Sequence, residues 1–233
     1  MRSHHLRSAG GGLSLPIEES GLDIYLDAND SRSYSGSGTT WTNLSTSGNF
    51  GNAQLKTSSG WSVYTSSGSP KYFTDLRAFI SNPTNSYYYP LTYSIWVYPT
   101  GLSSYDTVID QGNDNFYFGF DSATLITYNP TVYAISSLST NTWYNFTVTY
   151  TLGQNLKYYQ DAVLKYTHVA TGGGYSGTFS DWSFGDGEVS SSYTGGSEPF
   201  EGRVGAIMVY NRPLTATEVT SNYNALKSTY GHP

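Results

Sequence analysis

The stretch Phe200–Gly231, FEGRVGAIMVYNRPLTATEVTSNYNALKSTYG, decides the fold. Its first half alternates as a strand does. Arg203, Gly205, Ile207 and Val209 fall on one face, and Val204, Ala206, Met208 and Tyr210 on the other. Asn211, Arg212 and Pro213 end the strand, because Pro213 has no N–H to give a ladder. Thr215-x-x-Glu218 then has the spacing of a capping box. Val219, Tyr223 and Leu226 recur at i, i+4 and i+7, one apolar stripe on a short helix, and Gly231 is placed to stop it. A strand apolar on both faces is buried on both sides, so it belongs inside a stacked sheet. A helix with one stripe needs a surface to lie on, and a sandwich built upstream supplies it.

Working outward, the same period of two recurs in short runs. Leu22, Ile24 and Leu26 alternate with Asp23, Tyr25 and Asp27, the pattern of a half-buried strand. It is expected beside Val204–Tyr210, closing one sheet with the two ends of the chain. Leu91–Tyr98 stops at Pro99, Trp143–Tyr150 alternates, and Asn155–Gln160 returns through Asp161-Ala162 into Val163–Thr167 as a hairpin. Many short strands with turn signals between them and one terminal helix read as an all-β protein, a two-sheet antiparallel β-sandwich with a short C-terminal helix. No linker or repeat interrupts it. Residues 1–20, with His4, His5 and three glycines, read as a flexible leader or cloning remnant, and residues 21–231 as one domain.

Composition narrows the function. At 233 residues, one sandwich can bury roughly 70% of its unfolded surface. The absence of cysteine excludes disulfides and thiolate metal sites. Only 12% of residues are charged, the net charge is −6, and the eleven Lys and Arg residues are scattered, which argues against nucleic acid as a partner. No apolar run reaches the ~18 residues of a membrane-spanning helix, so no membrane insertion is expected. The 23 tyrosines suit sheet faces, and some are candidates for a contact surface.

The C-terminal pattern F-x-G-x-x-x-x-x-x-x-Y-N-R-x-L-[ST]-x-x-E, followed by N-Y-N-A-L-K and Y-G, resembles the end of laminin-G-like, concanavalin A-like jelly-roll domains of bacterial surface, phage and large-virus proteins. Leu26-Asp27-Ala28, Ser33-Tyr34, the run from Ser37 to Ser45, Tyr93-Ser94-Ile95-Trp96-Val97 and Asn141-Thr142-Trp143-Tyr144 carry the likeness through the chain. Two stretches depart from it. Tyr72-Phe73-Thr74-Asp75 replaces a usual Phe-Asp-Gly turn, and Asp161-Ala162 stands where relatives have Asp-Gly or Asn-Gly, so a looser hairpin is expected. The resemblance implies a non-catalytic carbohydrate-binding or adhesion module, extracellular or on a virion surface, whose partner is a polysaccharide or glycoprotein glycan. A rival reading is a structural or decoration protein of a virus particle, packed against virion or surface-protein subunits. A third is a glycoside hydrolase or lyase.

The third reading needs two carboxylates about 5 Å apart, or further for inversion. None of the six glutamates falls in the Glu-x-Asp-x-x-Glu spacing of sandwich glucanases. Glu188, Glu198 and Glu201 surround one loop, with solvated loop charge as the competing reading. His168 lacks a nucleophile elbow to serve. Calcium is the candidate cofactor, because laminin-G-like domains carry it at a rim loop. Asp106, Asp110, Asn113 and Asp114, with Asn115 and Asp121, form an oxygen-rich loop, and Asp27, Asn29 and Asp30 a second cluster. Ordinary turn chemistry competes at both. For a glycan, aromatic rings pack on sugar C–H faces while polar groups satisfy hydroxyls. Trp61, Tyr64, Tyr87, Tyr88, Trp182 and Tyr193 lie in loops or strand ends and are the candidates, whereas Trp41, Trp96 and Trp143 sit at core-patterned positions.

Overall fold

A computed structural model describes residues 14–57, 60–81, 92–111, 117–128, 132–151, 155–169, 181–187 and 198–233. Two antiparallel sheets stack face to face. The first runs β14 (Val163–Val169), β13 (Asn155–Gln160), β12 (Tyr144–Tyr150), β7 (Thr92–Pro99), β16 (Gly202–Tyr210), β5 (Tyr72–Thr74) and β4 (Val63–Thr65), with β1 (Leu22–Asp27) also on β16. The second runs β11 (Val132–Ile135), β10 (Thr124–Tyr128), β9 (Tyr117–Asp121), β8 (Asp106–Gln111), β15 (Asp181–Phe184), β6 (Ala78–Ser81), β3 (Ala53–Leu55) and β2 (Thr40–Trp41). One helix, α1 (Ala216–Leu226), follows β16.

β16 is buried on both faces, as its sequence requires, but its alternation breaks at Gly205. The pairing with β7 slips by one residue between Val204 and Ala206. Val204 therefore joins Ile207 and Val209 in the core between the sheets, while Ala206, Met208 and Tyr210 face the helix side. A plain strand would put Val204 with Ala206. The slip also divides one edge of β16 between two partners: β5 takes Arg203 and Val204, and β1 takes Ala206–Tyr210. The two ends of the chain thus close the sheet. All six residues of β1 are buried, not half of them. The 42–50 segment explains part of this, since the Asn43 side chain accepts from Tyr25 N and donates to the carbonyl of Asp23.

α1 begins at the expected capping box, with Thr215 accepting from Glu218 N and Glu218 from Thr215 N. Helical turns continue past Leu226 and close at Gly231. There His232 N donates to Lys227 O and Gly231 N to Ser228 O, the paired bonds of a left-handed C-terminal stop. Val219 and Leu226 are buried on the sheet, and Tyr223 stacks 5.6 Å from Trp96. Residues 14–20 are not a separate leader. Ile17 is buried in the helix-side cluster, and Glu18 N donates to the Asn222 side chain, so this lead-in belongs to the packed body. Asp161-Ala162 forms a tight two-residue turn with both φ values positive, 52° and 62°, so the hairpin is not looser for lack of glycine.

Candidate functional site

Strand parity places the turns. The ends of β3, β5, β7, β9, β11, β13 and β15 and the starts of the strands that follow them meet at one end of the sandwich. All eight described non-glycine residues with left-handed backbone lie there: Ser62, Asp75, Tyr105, Ser122, Ser137, Asn141, Asp161 and Ala162. Side chains with a Cβ disfavour that region, and such strain concentrates at functional sites. Asp161, Ala162 and Ser122 have tight hairpin turns as sufficient cause. The others do not.

Ser62 and Asp75, at φ 51° and 47°, build the first part of this rim. Asp75 follows β5 directly, in the left-handed region that glycine favours. Ser62 N donates to Asp75 O at 2.7 Å, Ser62 Oγ to Arg77 O and Arg77 N to Ser62 Oγ, each at 3.0 Å. This lock sets Trp61 against Arg77, whose guanidinium lies 4.2 Å over the indole. Arg77 in turn stands 3.1 Å from the carboxylate of Asp186, which has no solvent exposure. Burial pushes the Asp186 carboxyl up to about 6, against the pull of Arg77 and the backbone N–H groups of Gly187 and Glu198.

The neighbouring strand extends the rim. Thr107 N donates to Glu198 O at 2.9 Å, and the Thr107 hydroxyl reaches the Glu198 carboxylate at 3.4 Å. Tyr117 lies along the same face, over Gly119. A Cβ at Gly119 would stand 2.7 Å from the Tyr117 hydroxyl and 2.2 Å from Asp106 O. Asp106 is buried and its carboxyl also rises to about 6, chiefly from desolvation, although Ser103 N donates to it at 2.8 Å. Beside it Tyr105 is 45% exposed, with φ 64°. Trp61, Arg77, Asp186, Glu198, Thr107 and Tyr105 therefore run along one rim, aromatic at both ends and polar between.

The candidates read from sequence fare unequally. Trp61 stands half-buried on the rim. Tyr64 packs on Tyr34 and Phe73 and donates its hydroxyl to Ala28 O, which commits it to the fold. Trp182 is a correction: it has no exposure and lies between the sheets, because its place in β15 faces inward, so no sugar reaches it. Tyr87, Tyr88 and Tyr193 lie outside the described residues. Glu198 reaches Thr107, Glu201 lies against Gly101, and Glu188 is outside the described residues. His168 is a strand residue near the end of β14.

The calcium cluster does not form from what is described. Asp106 and Asp110, four apart, would share a face on a regular strand. A bulge between Thr107 and Ile109 inverts this, so Asp106 aligns with core Phe120 and Asp110 with outward Tyr117. Asn113 and Asp114, with Asn115, lie outside the described residues. Asp27 accepts from the Tyr25 hydroxyl and Asn29 N, and Asp30 pairs with Arg32, so this second cluster is turn chemistry. Among the described residues no three His, Cys, Asp or Glu side chains are placed to hold a metal ion. Arg77, Asp186 and Tyr105 had no signal in sequence spacing, because the rim joins four separate segments.

The chain belongs to the concanavalin A-like lectin/glucanase superfamily, whose family model matches residues 74–220, more than half its length. Among solved structures, domain 4 of AbnA, a GH43 extracellular arabinanase from Geobacillus stearothermophilus in complex with arabinotriose, is similar over 88% of this chain and all of that domain, with a TM-score of 0.62 and 16% identity. A botulinum neurotoxin type C structure, described by its interaction with two ganglioside molecules, is similar over 88% of this chain and 51% of its own, with a TM-score of 0.58 and 19% identity. A Trypanosoma rangeli sialidase mutant with trans-sialidase activity is similar over 93% of this chain and 35% of its own, at 0.59 and 14%. At these identities the likeness is one of fold. No relative was found among curated proteins.

Proposed function

We propose that this domain is a lectin-like recognition module that binds a glycan at the Trp61–Tyr105 rim and does not turn it over. The observation that carries the reading is the convergence of strain, aromatic surface and buried carboxylates at one end of the sandwich. Strained backbone there is held by a rigid two-sheet scaffold, which is how a preorganised binding edge is made. Aromatic faces suit sugar C–H surfaces, and the partly exposed Arg77 and Glu198 offer a donor and an acceptor for hydroxyls.

The binding reading is supported by the partners that two of the rim carboxylates already have. Asp186 is buried against Arg77, and Asp106 is buried and takes the Ser103 N–H. A glycosidase needs one carboxylic acid and one carboxylate facing each other across a substrate. An exposed location, on a cell surface or outside a cell, suits such a module. No helix among the described residues is long and apolar enough to cross a membrane.

A glycan-array screen, run with calcium and again with chelator, tests the reading. Binding that survives chelation is the expected result and assigns recognition to the rim side chains. No glycan retained under either condition overturns it. A polysaccharide panel assayed for released reducing ends is expected to stay flat.

A further inference from the structure

Tyr105 is the least economical residue of the rim. It is a bulky aromatic at φ 64°, a conformation that favours glycine, and its ring is left 45% exposed. Local structure enforces this. The Asp106 carboxylate accepts from Ser103 N at 2.8 Å, and Ser103 O accepts from Ser122 N at 2.8 Å, so both sides of the 103–106 turn are tied down. Burial does little to offset the strain, because nearly half of the residue stays exposed. Its position does have a counterpart. Trp61 is held at the far side of the same rim by the Ser62–Asp75 lock, in another left-handed pair.

The spacing between the two rings follows from the sheet. Arg77 precedes β6, Asp186 follows β15 and Thr107 is the second residue of β8, and these three strands are hydrogen-bonded neighbours in that order. Strands lie about 4.8 Å apart, so the rim from Arg77 to Thr107 covers roughly 10 Å, with Trp61 beyond one end and Tyr105 beyond the other. One sugar ring cannot touch both aromatics. Between them Arg77 and Glu198 reach the surface, held from below by the buried Asp186 and Thr107, a polar floor with an aromatic platform at each end.

We infer that this rim takes a run of several sugars along an oligosaccharide chain, with Tyr105 as the second platform, and does not recognise a single terminal sugar. The inference rests on the glycan-binding reading and adds ligand length and Tyr105 to it. Binding energy then accrues from both platforms only when one chain spans them. Tyr105 has a further consequence: glycine there relieves the backbone while removing the platform, so stability and binding move in opposite directions.

The test is titration calorimetry of the whole chain against a size series of the array-identified glycan, from monosaccharide to hexasaccharide. Affinity is expected to rise at least tenfold from the monosaccharide to the length that spans both rings, then level off. Tyr105→Gly is expected to raise the melting temperature and to remove the gain for long chains. Trp61→Ala and Tyr105→Gly should each weaken the long ligand. Equal affinity for monosaccharide and hexasaccharide, or long-chain binding untouched by Tyr105→Gly, overturns the inference while leaving glycan recognition standing. Failure of every member of the series to bind overturns both.

Discussion

The ring of Tyr230 lies directly on Gly205: a Cβ at that glycine would stand 2.4 Å from both a ring carbon and the hydroxyl oxygen. The bulge that divides β16 between β1 and β5 and the residue just before the Gly231 stop are therefore one packing unit. Tyr230 also stacks 4.3 Å from Trp96, which β7 presents to the same face. Gly205→Ala is expected to destabilise the fold by about 1–3 kcal/mol through overpacking, read from urea unfolding. In a Tyr230→Ala background the same change should cost much less, because the clash is gone. Equal costs in both backgrounds would contradict the contact.

The helix start is a second stability element. Arg212 reaches both oxygens of Glu218, at 2.8 and 3.1 Å, while Glu218 closes the capping box with Thr215. Thr215→Ala should cost about 1 kcal/mol, as loss of an N-cap does. The Arg212 hydrogen bonds, chiefly, hold the Glu218 carboxyl down at about 2, below its ordinary 4.5. The folded state then binds fewer protons than the unfolded one between these values. The stability from this carboxylate is present above pH 4.5 and is lost as pH falls toward 2. Glu218→Gln should flatten that part of the melting-temperature profile.

At the rim the sign reverses. Asp186 rises from 3.8 to about 6, so the folded state binds the extra proton between these values. Stability attributable to this group falls as pH rises through that window. Compared with Asp186→Asn, the wild-type chain should lose melting temperature between pH 4 and 6. A difference that grows with pH there would mean that Arg77 outweighs burial.

The β13–β14 turn carries removable strain. Ala162 has φ 62°, which costs an L-residue of this kind roughly 1–2 kcal/mol. Ala162→Gly gives the Asp-Gly pair that this turn prefers and should raise stability by about 0.5–1 kcal/mol after the entropy of glycine is counted. Chemical denaturation at neutral pH measures it.

The frame of this fold was legible because its signals are local. The capping box at Thr215 and Glu218, the stop at Gly231 and the β1–β16 pairing depend on spacing within one segment or on matching periods. Two of the misses share one cause, a one-residue slip that periodicity does not record. Gly205 shifts Val204 to the inner face, and the bulge before Ile109 sends Asp106 and Asp110 to opposite sides. Trp182 looked exposed because its flanks are polar and glycine-rich, yet β15 lies between β6 and β8 and turns the indole inward. Trp61 was visible as an aromatic, but its partners Arg77 and Asp186 lie in other segments, and only the folded chain joins them.

Trp61→Ala tests the account most directly. The substitution removes the cation–π contact with Arg77, which is worth about 0.5–1 kcal/mol at such a site, and leaves the core cluster intact. Titration calorimetry of wild type and variant against one glycan retained on the array is the measurement. The account predicts at least tenfold weaker binding, a loss of about 1.4 kcal/mol, with cooperative unfolding preserved. Unchanged affinity in the variant, or a wild-type chain that retains no glycan, would contradict it.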